Sequence, residues 1–234
     1  MGTTPPLYKV LVRHDGRLHS CHGGSGQWRP GRWRAVRGDL KPCDTGLHLC
    51  RARDLPEWLR EDAEVWEAEG AGDEVTCRDK MVYRRARVTS RVGILSARTL
   101  RLFAADCAER ALLRERKAGR KPDARSWAAV QAARDYAEGR IDRTALRAAA
   151  AAAYDAYAAA AAAYAAYDAA YAAAYDAYAA ADAAHAAADA AARAAADALA
   201  DAVAAAYDDA EREWQGARLL AYLRGETPPP VEAP

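Results

Sequence analysis

Residues 43–50 read CDTGLHLC. Two cysteines bracket a turn signal, Asp44-Thr45-Gly46, and then an alternating Leu-His-Leu-Cys run. Alternation of this kind reads as a short strand: His48 and Cys50 share one face, and Leu47 and Leu49 the other. A strand placed here makes the front of the chain a β-rich unit, and the sequence on either side agrees. Leu7-Tyr8-Lys9-Val10-Leu11-Val12 is rich in β-branched and aromatic residues and ends at a hairpin signal, Asp15-Gly16. Val65-Trp66-Glu67-Ala68-Glu69 alternates and stops at Gly70-Ala71-Gly72-Asp73. Met81 to Thr89 alternates again, with Val82, Arg84, Ala86 and Val88 on one side. Between these runs, Asp54 caps a short helix that carries Pro56 in its first turn.

From Ser96 the period changes from two to 3.6. Ser96 caps a helix whose inward stripe is Leu100, Phe103 and Cys107. Gly119 and Pro122, set in a run of charge, mark a linker. A second helix runs from about Ala124 to Glu138 and stops at Gly139, and Asp142 caps a third. After Asp142 the next glycine is Gly216 and the next proline Pro228. Residues 148–210 are about two thirds alanine, the strongest helix former. Continuous to Arg224, this helix would span roughly 80 residues, a rod of about 120 Å. A globule of roughly 100 residues is only about 26 Å across. The expected organisation is α+β. It has a β-rich head over residues 1–95, a helix packing on it over 96–118 and a linker over 119–123. An Ala-rich helical region covers 124–225 and a disordered tail 226–234.

The tyrosines give the rod a side. Tyr157, Tyr164, Tyr171 and Tyr178 recur every seven residues, with Tyr154, Tyr167 and Tyr175 in the same arc. A seven-residue apolar period favours coiled-coil packing. These seven tyrosines are the candidate interface for self-association or for a protein partner. A solvated helix, or packing within the chain, are the other readings of the same tract.

Charge is uneven beneath a net of +1. Residues 78–121 hold fourteen basic and four acidic side chains, whereas 148–211 hold one base and ten acids. Opposite blocks can attract each other or a neighbouring copy. The basic stretch has few aromatics beyond Tyr83 and Phe103 and no groove-reading motif, which argues against nucleic acid. No membrane span is expected, because the Ala tract carries an aspartate every seven or so residues. The opening MGTTPPLYKV has no apolar signal region and no myristoylation pattern. Five cysteines, an odd number, suggest reduced thiols in a cytoplasm.

The chemistry available to the head lies in its Cys and His residues. Cys21 and His22 form one pair, and Cys43, His48 and Cys50 a second group. Two ligands from each could hold zinc, although the spacing is not a paired CxxC. A thiol nucleophile is the alternative, with Cys43 or Cys50 beside His48 or His22 as base and Asp44 as orienting acid. Structural thiols are the plain reading. Two function classes follow. One is a non-enzymatic structural or interaction protein, a small head on an associating Ala-rich helix. The other is an enzyme, or a small-ligand or metal-binding protein, with its site around His48 and Cys50.

Residues 8–92 resemble an uncharacterised domain of phage, prophage and bacterial proteins, through Cys21, CDTGLHLC, VWEAEG and RDKMVYRRARV. Leu47 stands where that family usually has an aromatic. Residues 122–224 are similar to Ala-rich helical tails of actinobacterial-type and phage-associated proteins, including immunity proteins of toxin systems. The shared pieces are PDARSWAAVQAARDYAEGRIDRTALRAAAAAA and EREWQGARLLAYLRG. The resemblance implies a phage, prophage or defence context and brings no activity with it.

Overall fold

The computed structural model describes residues 5–21, 26–153, 155 and 209–233. The protein is α+β, with an antiparallel sheet in its first part and helices after it. It divides into two compact units. The first comprises Met1–Cys107 with Glu211–Glu232, and the second Ala108–Ala210 with Ala233–Pro234. Among the described residues no helix is long and apolar enough to cross a membrane.

Among the described residues six strands build the first unit: β1 (Leu7–His14), β2 (Arg17–Ser20), β3 (Arg34–Ala35), β4 (Leu47–Leu49), β5 (Glu64–Thr76) and β6 (Met81–Ile94). β1 and β2 form the hairpin announced by Asp15-Gly16. Both residues take positive φ, 48° and 73°, as a turn matched to strand twist requires. β5 pairs with β1 on one edge and with β6 on the other. The far edge of β6 carries first β4 and then β3. Tyr8 and Cys50 exchange backbone hydrogen bonds of 2.7 and 2.9 Å, so β4 also meets β1 and the sheet closes on itself. Closure demands strong bending, and register shifts along β5 supply it.

β5 corrects the reading of Gly70–Asp73 as a strand end, because it continues to Thr76. A Cβ on Gly70 would lie 2.5 Å from the ring of Tyr83. Glycine here admits a cross-strand aromatic and does not break the ladder. Asp54 is a second correction. It occupies the third position of a 3₁₀ helix, Ala52–Trp58, whose N-cap is Arg51. Its carboxylate is fully buried, accepting the Arg51 backbone N–H at 3.1 Å and the guanidinium at 2.6 Å.

Two apolar clusters fill the first unit. Leu11, Leu18, Trp28, Leu47, Leu49, Trp66, Tyr83 and Val88 form one, with Ala68 and Ala86. The other joins Tyr8, Val10, Cys50, Leu55, Val65 and Leu95 to Phe103 and to Leu219, Leu220 and Leu223. Alternation along β1 and β4 sends neighbouring side chains to different clusters.

Leu219, Leu220 and Leu223 belong to a helix over residues 209–223. This segment had been expected to end an Ala-rich region separate from the head, and it instead packs in the head's core. Two contacts show how close the approach is. A Cβ on Gly216 would lie 2.3 Å from the Ala52 carbonyl oxygen, and one on Gly93 would lie 2.3 Å from that of Leu223. Buried ions fix the same helix. Arg212 donates to Asp54 at 3.1 Å, Arg218 to Asp106 at 2.7 Å, and the Tyr222 hydroxyl to Asp106 at 2.5 Å. Residues 226–233 have no helix or strand, and Arg218 also donates to the Pro229 carbonyl.

α1 (Ala97–Lys117) starts at Ser96, whose hydroxyl accepts the Thr99 N–H at 3.1 Å, and it runs on into the second unit. Phe103 is buried, with Leu100 and Cys107 packed beside it, as the stripe predicted. α2 (Ala124–Ala137) is capped by Asp123. Within the second unit the Arg134 guanidinium meets the Glu109 carboxylate, and Arg116 lies 5.6 Å from the Trp127 ring. Asp142 accepts the Ala145 N–H at 2.8 Å and opens a helix described over residues 143–153. Tyr154, Tyr157, Tyr164, Tyr167, Tyr171, Tyr175 and Tyr178 lie outside the described residues, as do His22 and the continuity of the Ala tract.

Candidate functional site

The outer edge of β1 changes partner. Up to Tyr8 it holds Cys50, and from Leu11 it holds Ser20. Lys9 and Val10 fall in the gap. A cavity of about 570 Å³ opens there, lined by Lys9, Val10, Ser20, Cys21, His48 and Cys50 around the gap. Trp28, Arg34, Arg37, Cys43, Trp58 and Lys80 complete its wall. This volume suits a small organic molecule.

The stretch 43–50 forms one side of the cavity as a clasp. Thr45 N–H donates to the Lys41 carbonyl at 2.9 Å and Lys41 N–H to that of Thr45 at 2.8 Å. Cys43 sits at φ 67°, a left-handed conformation that a side chain rarely adopts. Gly46 has φ 149°, and a Cβ there would lie 2.1 Å from Cγ1 of Val82. Only glycine fits that position. The chain then enters β4 with Leu47 and Leu49 buried, which leaves His48 and Cys50 for the other face.

His48 comes together with Cys21, Cys43 and Cys50 along one wall of the cavity. His48 Nε2 accepts the backbone N–H of Cys43 at 3.1 Å, so the ring's lone pair holds the clasp and does not face a thiol. Burial, with Lys9 and Lys80 nearby, pulls its pKa below the usual histidine value, and the imidazole is neutral. Cys50 is sealed, its thiol donating to the Tyr8 carbonyl at 3.4 Å. Burial pushes that thiol up to about 12, which disfavours the thiolate that a nucleophile requires. Burial also raises Cys21, whose Sγ donates to the Val10 carbonyl at 3.5 Å. Among the described residues no three His, Cys, Asp or Glu side chains converge on a metal position. Cys21, Cys43, His48 and Cys50 line one cavity, and His22, the remaining candidate ligand, lies outside the described residues.

The side chain that stands out is Lys9, which sequence reasoning passed over. Its amine donates to the His48 carbonyl at 2.7 Å and lies 5.5 Å from the Trp28 ring. No carboxylate partners it among the described residues. Burial takes the ammonium from its ordinary 10.5 down to about 8, with Arg34 pushing the same way. Lys9 shares a strand face with Leu11, and that shared face was the signal in the sequence.

Arg34 lies 4.7 Å from the Trp28 ring, and burial lowers its pKa as well. Trp28 is fixed in place, donating its Nε1–H to the Ser20 hydroxyl at 3.0 Å. Arg37 has no carboxylate partner among the described residues. Lys80 is neutralised by Asp79 at 3.2 Å and sits 5.1 Å from the Trp58 ring. The lining holds the cations Lys9, Arg34, Arg37 and Lys80 and the carboxylate Asp44. Basic and aromatic side chains thus share one cavity wall. Comparison with protein-family models, with curated proteins and with solved structures returns no match.

Proposed function

We propose that the first unit binds a small organic anion, a carboxylate or phosphate monoester with a flat apolar body, in the cavity beside β1. The observation behind this is the Lys9 ammonium, desolvated at the cavity wall with no carboxylate among the described residues to balance it. A buried charge without a counter-ion is costly, and a ligand anion would remove that cost. Arg34 and Arg37 would add a second electrostatic contact, and the apolar part of the wall, Val36 and Trp58, would take the apolar body.

Titration of the full chain with a panel of aryl carboxylates and phosphate monoesters, followed by calorimetry and tryptophan fluorescence, tests this. Saturable binding is expected, weakened at least about tenfold in Lys9→Met and in Arg34→Ala. No saturable binding across the panel, or equal binding in both variants, rejects the reading. Self-association through the Ala/Tyr helix is the other proposal carried from the sequence. It rests on tyrosines outside the described residues.

A further inference from the structure

We propose that Lys9 is a covalent catalytic residue, forming an imine with an aryl 2-oxo acid bound in the same cavity. This rests on the anion-binding reading above and assigns the cations separate tasks. Arg34 and Arg37 hold the carboxylate, the apolar part of the wall at Val36 and Trp58 takes the ring, and the Lys9 amine meets the keto carbon.

The geometry suits a nucleophilic amine. Lys9 lines the cavity, and among the described residues its nitrogen is tied to a backbone carbonyl and to no acid. A carboxylate partner would keep the amine protonated, whereas a carbonyl accepts one N–H and leaves that choice open. In the neutral form, one N–H donated to the His48 carbonyl at 2.7 Å holds the nitrogen in place. The lone pair is then free to turn toward the cavity. Burial and the neighbouring Arg34 act in the same direction, with a pKa of about 8, so a fraction of the amine is neutral at physiological pH. Desolvation and a second cation are the two usual means of activating a lysine for this chemistry.

The step balances without an oxidant. The neutral amine adds to the keto carbon, and the carbonyl π pair moves to oxygen, which takes a proton. The resulting carbinolamine loses its hydroxyl as water, and nitrogen loses its remaining proton to solvent. One C–N double bond replaces one C–O double bond, with one water released.

The full-length chain is incubated with phenylpyruvate and cyanoborohydride, then digested and mapped by mass spectrometry. A parallel calorimetric titration uses phenyllactate, which has the same carboxylate and ring but no ketone. The expected result is reductive capture at Lys9, with a mass gain of the ligand less one oxygen atom. Phenyllactate should bind, compete and leave no adduct. Capture should speed up about tenfold per pH unit below 8 and then level off. Lys9→Arg keeps the charge and should lose the adduct. If phenyllactate binds saturably but phenylpyruvate leaves no adduct on Lys9, the imine is rejected and the anion site stands. Adducts spread over surface lysines, or equal capture in Lys9→Arg, also reject it. If neither acid binds, both readings fall together.

Discussion

Arg218 donates its Nε–H to the Asp106 carboxylate across 2.7 Å, joining positions 112 residues apart, with both side chains almost sealed from water. The Tyr222 hydroxyl donates to the same carboxylate, and burial pushes that phenol up to about 12. The end of the chain is thereby made part of the head. A buried ion pair need not add net stability, but breaking one by removing a single partner costs about 3–5 kcal/mol. Asp106→Ala leaves the Arg218 charge buried without its partner carboxylate. Urea unfolding followed by circular dichroism should show a loss of that order, and Asp106→Leu with Arg218→Met should recover most of it. A single-variant loss below about 1 kcal/mol would show that the pair is dispensable.

Gly216 rests on the backbone of the 3₁₀ helix, where a Cβ would come within 2.3 Å of the Ala52 oxygen and 2.8 Å of Arg53 Cα. Backbone cannot rotate aside as a side-chain tip can. Gly216→Ala should therefore lower stability by about 1–3 kcal/mol, despite the gain in helix propensity. The exposed neighbour Ala217 provides a control, since Ala217→Ser should stay within about 0.5 kcal/mol. Equal effects at both positions would mean that the helix does not sit where its leucines place it.

The cysteines of the clasp should separate cleanly in reactivity. Cys43 is exposed, whereas Cys50 is buried and bonded to the Tyr8 carbonyl. Its thiol, raised to about 12, yields almost no thiolate at pH 8. Iodoacetamide labelling of the folded protein, mapped by mass spectrometry, should modify Cys50 at least about a hundredfold more slowly than Cys43. In urea the two should converge. Comparable native rates would mean that the bridge between β1 and β4 opens readily.

Local chemistry was legible in the sequence. Asp15-Gly16 gave the hairpin, and Ser96 and Asp142 gave helix starts, because each acts within a few residues of itself. The shared face of His48 and Cys50 was legible for the same reason. What failed depended on partners distant in sequence. Gly70 looked like a stop until Tyr83 of β6 was found against it. Asp54 looked like a cap, but its burial beneath Arg51 and Arg212 requires the chain's end to be in place. Leu219, Leu220 and Leu223 stood out from the alanines before them, yet propensity alone assigned them to a rod. The cavity was hidden because it arises from closure. Tyr8 must meet Cys50 before a gap exists on β1 for Lys9 to face.

That burial of Lys9 has a measurable sign. The folded amine has a pKa of about 8 against an ordinary 10.5, so between these values the unfolded chain binds more protons. Stability therefore rises with pH across the window. The cost of burying the ammonium is fully present below pH 8 and absent above 10.5. A shift of this size corresponds to about 3 kcal/mol as an upper bound. Cys50 works the other way. Its folded value of about 12 exceeds the ordinary 9.0, so the folded state keeps a proton that the unfolded state loses, and stability falls above pH 9. The Lys9 effect is isolated by comparing wild type with Lys9→Met at each pH, since Cys50 is common to both. At pH 7 the methionine variant should have its greatest advantage, because it removes a desolvated charge. From pH 8 upward the wild type should recover, by up to about 1.4 kcal/mol per unit. An anion bound in the cavity should flatten the difference by restoring the ammonium. A gap between the two proteins that stays constant from pH 7 to 10 would mean that Lys9 titrates as a solvated surface lysine, and the anion-binding reading would lose the desolvated charge it starts from.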